Sequence, residues 1–229
     1  MLMVNQLIGF GVAGAGIGGN DSFTKLLLHG DGADASTTIT DSSATGHTVT
    51  VSGGLQLDTA QSKFGGASIL FGTSSGYGTV ANSSEHNFGT GDFTIDFWLR
   101  FSSVATAGLI GKMGAGGTDG WAFRYVNGSG LRFLTDSGAA TTKAWTPSAD
   151  TWYHVAFVRT GSTLRFFVDG TQVGTDGSDS ETLDSANTLY LGNSSFASEI
   201  LVGWMDEVRI SKGTARWTTT FTPPAEAYS

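Results

Sequence analysis

The segment Gly203–Pro224, GWMDEVRISKGTARWTTTFTPP, joins an apolar strand, two adjacent carboxylates, a basic turn and a double proline. Three readings of Asp206 and Glu207 compete: catalytic carboxylates, a metal ligand, and charges on a sheet-closing strand. Successive strand residues project to opposite faces. Asp206 and Glu207 are therefore expected to face opposite ways, which rules them out as a catalytic pair on one sugar. SKGTARW then reads as a turn that returns Trp217 and Phe221 to the domain before Pro223 and Pro224, which lack the donor a ladder needs, end the sheet.

Outward from this strand the chain is a succession of short apolar runs between Gly, Ser and Thr turns. In DFTIDFWLRF, Phe93, Ile95, Phe97 and Leu99 fall on one face, and Asp92, Thr94, Asp96 and Trp98 on the other, the pattern of a half-buried antiparallel strand. Further strands are expected at FTKLLLH, HTVTVSG, ASILFG, AGLIGKM, GWAFRYV, GLRFLTD, WYHVAFVRT, TLRFFVDG, TLYLG and ILVGWMDEVRI. TGST and the Asp-Gly of VDGT are hairpin signals. With no sustained helical period, the pattern predicts an all-β sandwich of two packed antiparallel sheets.

Composition agrees. The 229 residues are 39% hydrophobic, with 15 Phe, 6 Trp and 5 Tyr, enough apolar mass for one core. A formal net charge of −8 repels a phosphate backbone, which argues against a nucleic-acid partner and suits divalent cations or a basic protein surface. The absence of Cys removes disulfides, thiolate metal sites and cysteine nucleophiles. The opening MLMVNQLIGFGVAGAGIGGND has no Lys or Arg and is thinned by glycine, unlike a secretory h-region or a membrane span. Residues 1–23 read as an N-terminal arm held by a neighbouring subunit, and 24–229 as the domain. No membrane partner is expected.

The blocks LLLHGDG with TDSS after it, KFGGASILF, GTGDFTIDFWLRF, WYHVAFVRTGSTLRFFVDG and GWMDEVRISKGTARWTTTFTPP follow one another in the order of a known family. Over residues 24–224 the chain resembles the laminin G-like and pentraxin-like branch of the concanavalin A-like lectin/glucanase domains. The resemblance implies a jelly roll of two curved antiparallel sheets with the first and last strands adjacent. The leader LLLHGDGADASTTITDSS and the ending DEVRISKGTARW…FTPP are similar to domains of bacteriophage structural proteins and marine bacterial surface proteins. Two functions follow from that likeness. One is a non-enzymatic capsid decoration protein of a virion, assembled in the host cytoplasm, binding other capsid subunits and forming a homo-oligomer such as a trimer. The other is a carbohydrate-binding module of a tail fibre or surface protein, with a glycan partner.

The resemblance also implies a structural calcium site, with Asp206 joined by Asp31 and a backbone carbonyl of Gly66, and Asp34 and Asp41 in reserve. Calcium takes 6–8 oxygen ligands, including carboxylates and carbonyls. The alternative is that Asp206 only accepts hydrogen bonds from loop amides. A glucanase reading would rest on Asp92 and Asp96, but four strand residues place them roughly 13 Å apart, against about 5–5.5 Å for a retaining pair. His29, His47, His86 and His154 lack the paired spacing of a zinc site. GAGIGGND follows no strand and opens no helix, so it is not a dinucleotide fingerprint. Of the tryptophans, Trp145, in the loop-like TTKAWTPSAD, is the one marked for ligand contact.

Overall fold

The computed structural model describes residues 19–72, 75–114, 116–138, 140–194 and 199–229. The strands in the first half of the chain are β1 (Thr24–Leu28), β2 (Val49–Ser52), β3 (Gln56–Asp58), β4 (Ser68–Leu70), β5 (Tyr77–Val80), β6 (Phe93–Phe101), β7 (Ala107–Met113) and β8 (Gly120–Val126). The second half supplies β9 (Gly130–Thr135), β10 (Ala140–Lys143), β11 (Trp152–Thr160), β12 (Thr163–Val168), β13 (Thr171–Gln172), β14 (Gly177–Ser178), β15 (Leu189–Leu191) and β16 (Gly203–Lys212). One sheet runs β13-β12-β11-β6-β16-β4-β3, with β1 on β16 and β14 on β12; the other runs β10-β9-β8-β7-β15-β5-β2. All pairings are antiparallel, and the sheets pack face to face as a jelly-roll sandwich. The first strand lies against the last, Leu26 opposite Ile210.

The alternation of the strands decides what fills the space between the sheets. Phe93, Ile95, Phe97 and Leu99 of β6 meet Phe123 and Phe133 of the other sheet together with Phe157, Met205, Val208 and Ile210. Phe123 sits at the centre, 3.8 Å from the Phe157 ring centroid and 4.6 Å from that of Phe133. Hairpin chemistry sets the register around this core. Asp169 and Gly170 both have positive φ (47° and 74°), the left-handed pair a tight turn between Val168 and Thr171 requires.

One expectation is corrected. β6 is not half-buried: Thr94, Asp96 and Trp98 on its other face are as enclosed as the core phenylalanines. Two segments cover them. Residues after β16 cross the outer face of the long sheet, where Trp217 and Phe221 stack at 4.0 Å and 7° over Ala156, Val158 and Phe167. The loop ahead of β4 places Lys63 Nζ 3.8 Å above the Trp98 ring, with Phe64 edge-on to it. The return of Trp217 and Phe221 is thus as the sequence reads. Residues 19–23 are tied to the same chain: the Asn20 amide donates to the Ser229 carbonyl, and Asp21 pairs with Arg216. The arm reading for residues 1–18 lies outside the described residues.

Candidate functional site

The strand β16 carries the polar centre of the molecule, and a bulge shapes it. Asp206 is opposite Trp98 and Arg209 opposite Asp96, so β16 spends one more residue than β6 over the same stretch. The extra residue is Glu207, in the left-handed region at φ 50°, a conformation that costs a non-glycine residue free energy. Met205, Val208 and Ile210 keep to the core. Asp206 and Glu207 therefore both lie on the outer side, and the expectation of opposite faces is corrected: strict alternation fails where a bulge inserts a residue.

Each carboxylate has its own partners. Asp206 Oδ2 accepts from the amides of Lys63 (2.7 Å) and Phe64 (3.1 Å). Glu207 accepts from the Tyr228 amide at 2.9 Å and stands 2.9 Å from His29 Nδ1. That contact raises the His29 pKa against the opposing effect of burial, with the charges of Glu207, Asp31 and Asp206 adding to it. Next along β16, the fully buried Arg209 grips Asp96 with Nε at 3.0 Å and Nη2 at 3.2 Å. The Tyr228 hydroxyl donates to the same Asp96, and its ring lies 3.7 Å from the Arg209 guanidinium. Burial would raise the Asp96 pKa, but Arg209 and His154 outweigh it and hold it at about 2.

Of the three residues marked for calcium, Asp206 lies beside Gly30 and Asp31 lies against Gly65, next in the chain to Gly66. Gly30 (φ 77°) lies beside Asp206: a Cβ there would stand in ordinary contact, 3.5 Å from Asp206 Oδ1, and crowd the Ser68 Cα at 3.1 Å. Asp31 rests on the loop ahead of β4, where a Cβ on Gly65 would fall 1.7 Å from Asp31 Oδ1, so only glycine leaves room beside Gly66. Asp206 Oδ1 is buried with no hydrogen-bond partner, and burial, opposed by the Lys63 and Phe64 amides, pushes the carboxyl up to about 7. An orphaned buried carboxylate oxygen beside the Gly30 backbone is a donor of the kind a hard cation takes. No three His, Cys, Asp or Glu side chains among the described residues are spaced for a metal, so carbonyls would have to supply the rest. A cavity of about 200 Å³ opens beside this corner, lined by His29, Asp31, Thr40, Ser42 and Leu57 among others. Asp41, a reserve ligand, instead accepts from the amides of Leu27, Ser43 and His47, and Asp34 from that of Thr59.

The remaining candidates are dispersed. Asp92 accepts from the Gly161 amide at 2.7 Å, while Asp96 is locked in its ion pair. Trp145 is half-buried and packs among Phe101, Tyr125 and Tyr153. Sequence reasoning passed over a second aromatic arrangement: Trp152, Arg100 and Trp204 are cross-strand neighbours on the outer face, half-buried, with the Arg100 guanidinium 5.0 Å from the Trp204 ring. Its signal is legible only once β6, β11 and β16 are known to be adjacent.

Two antiparallel sheets and a first strand closing on the last are the frame that the sequence blocks imply. A family model described as concanavalin A-like lectin/glucanases superfamily, Laminin_G_3, matches residues 71–218. The chain belongs to this superfamily. No curated protein matches it in sequence. Among solved structures similar to this lectin/glucanase-type domain is the binding domain of Paraclostridial Mosquitocidal Protein 1, at 17% identity and TM-score 0.66, covering 84% of this chain and 50% of that one. Domain 4 of AbnA, a GH43 extracellular arabinanase from Geobacillus stearothermophilus in complex with arabinotriose, aligns at 13% identity and TM-score 0.66, covering 84% and 93%. A third is a botulinum neurotoxin type C structure, described with cell entry dependent on two ganglioside molecules, at 15% identity and TM-score 0.61, covering 84% and 49%. The chain thus spans about half the length of the toxin domains it matches. At these identities the likeness shows the shared sandwich alone.

Proposed function

We propose that the chain is a non-catalytic recognition module that binds a glycan on behalf of a larger surface assembly, a virion or a bacterial envelope. The observation that carries this reading is the engagement of the outer-face carboxylates. Asp96 is held by Arg209 and Tyr228, Glu207 by His29 and the Tyr228 amide, and Asp206 by two loop amides. A glycosidase needs one carboxyl to protonate the leaving oxygen and another to attack or activate water across the sugar. Groups buried in structural pairs are not placed to do so. A similar structure described as a toxin's binding domain, and a similar arabinanase domain in complex with arabinotriose, add support for recognition over cleavage. Calcium belongs to the same proposal: Asp31, Asp206 and a Gly66 carbonyl would hold it, and the ion would fasten the first strand to the last.

The test is a glycan array probed with the purified chain, run beside a reducing-end assay on the retained sugars. Retention without release of reducing ends is expected. Release of reducing ends would overturn the non-catalytic reading, and retention of no glycan would overturn the recognition reading. The leader and ending blocks favour a second reading, a capsid decoration protein that packs on other head subunits. Many copies of the chain per purified particle would support it, and a few copies would favour a fibre module.

A further inference from the structure

A second cavity, of about 130 Å³, opens at the side of the sandwich where β14 of the long sheet meets β9 and β10 of the other. Gly177 makes the approach possible, since a Cβ there would fall 2.8 Å from Thr141 Cγ2. The floor is the buried Phe133, and the walls carry the hydroxyls of Thr135, Thr141, Ser178 and Ser180 and the carboxylate of Glu181. The wall is anchored from behind. Asp179 is gripped by the fully buried Arg159 at 2.8 Å and accepts from the Glu181 amide at 3.1 Å, and Arg159 also donates to the carbonyls of Glu181, Gly89 and Gly91. Glu181 accepts from the Ser137 hydroxyl. Burial would raise its pKa, but hydrogen bonds from Ser137 and Thr135 prevail and keep it ionised.

The lining selects a ligand class. Hydroxyls both donate and accept, and an ionised carboxylate accepts charge-assisted bonds from ligand hydroxyls. An apolar floor under such a rim suits a compact polyhydroxylated unit with one hydrophobic face. Glu181, with Asp136 beside it, repels anionic sugars. The volume is far below the roughly 300–1,000 Å³ of sites for drug-sized apolar ligands. We infer that this edge cavity, with Glu181, Thr141 and Ser180 over Phe133, is the subsite for one uncharged terminal monosaccharide unit of a glycan. The inference rests on the glycan-binding reading above.

The experiment is amide-shift mapping of the full chain by NMR, titrated with methyl α-L-arabinofuranoside, methyl β-D-galactopyranoside, methyl α-D-mannopyranoside and arabinotriose. Shifts at Thr135, Thr141 and Ser178–Glu181 are expected. Glu181→Gln should weaken binding roughly tenfold or more, the scale of one hydrogen bond to a charged group. Thr141→Val, on the partly exposed β10, should also weaken it, in case Glu181→Gln does not fold. Shifts confined to the Trp152, Arg100 and Trp204 row, lost in Trp204→Ala and kept in Glu181→Gln, would overturn the cavity assignment and leave glycan binding standing. Shifts with calcium or methylamine but no glycoside would overturn the sugar assignment. No response to any glycoside or to arabinotriose would overturn the subsite and count against the recognition reading together.

Discussion

Asp96 shows how the outer face became an interior. Its carboxylate is fully buried with Arg209, and a buried pair broken by removing one partner leaves an uncompensated charge, at a cost of about 3–5 kcal/mol. Asp96→Asn should lower the unfolding free energy by that order in a denaturant titration. Tyr228→Phe removes one hydrogen bond to the same carboxylate and should cost only about 1–3 kcal/mol. Equal losses in the two variants would mean that the Tyr228 hydroxyl, and not the Arg209 guanidinium, is the partner on which the buried Asp96 carboxylate depends. His86 makes a prediction of the opposite kind. Burial, with the charges of His47 and Lys112, pushes it down to about 4, with Glu85 opposing, so the folded ring stays neutral while the unfolded one protonates near 6.5. A depressed histidine contributes stability that is whole above pH 6.5 and drains away as the pH falls toward 4, by up to about 3 kcal/mol. His86→Asn should flatten the stability curve in that window; a slope identical to that of the parent chain would assign the acid sensitivity elsewhere.

The elements show which parts of this architecture a single sequence discloses. The periodic strands β6, β11, β12 and β16 were legible because alternation, flanking turns and Asp169-Gly170 agree with one another. Short strands such as β3, β5 and β10 were not read, since three or four residues such as Gln56–Asp58 or Ala140–Lys143 carry little alternation and owe their form to a neighbour's ladder. The burial of Thr94, Asp96 and Trp98 was misread for a related reason. Alternation reports the side chains of one strand and says nothing of a distant segment laid over them. The bulge at Glu207 was hidden as well, because an inserted residue in an apolar strand has no composition of its own. Asp31, Gly66 and Asp206 were marked through the family blocks and stand as proposed ligands, whereas the Trp152, Arg100 and Trp204 row needed strand order. Since the covering segment supplies Trp217, Phe221 and Tyr228, removing residues 213–229 should expose Ala156, Val158 and Phe167 together with the Asp96–Arg209 pair. A hydrophobic dye should then bind the truncated chain and leave the full chain unstained.

For the molecule as a whole the decisive question is how its two chain ends are joined. β1 pairs with β16, Gly30 after β1 lies beside Asp206, and Asp206 ties the loop ahead of β4 to the same strand by taking the Lys63 and Phe64 amides. With one oxygen orphaned, the buried carboxylate is a cost to the fold unless a cation completes it. Two results follow, and they differ in sign. In chelator, Asp206→Asn should be as stable as the parent or more so, because the amide oxygen still accepts from Lys63 and Phe64 and the buried charge is gone. In calcium the parent should gain stability by mass action, about 2.7 kcal/mol at a concentration 100 times the dissociation constant, and Asp206→Asn should gain nothing. Asp31→Asn should lose part of that gain without the chelator benefit, since Asp31 lies on the loop and not under it. A parent chain whose melting temperature ignores calcium would reduce Asp206 to a clasp for two amides, and its loss in Asp206→Ala would then be the same with and without the ion.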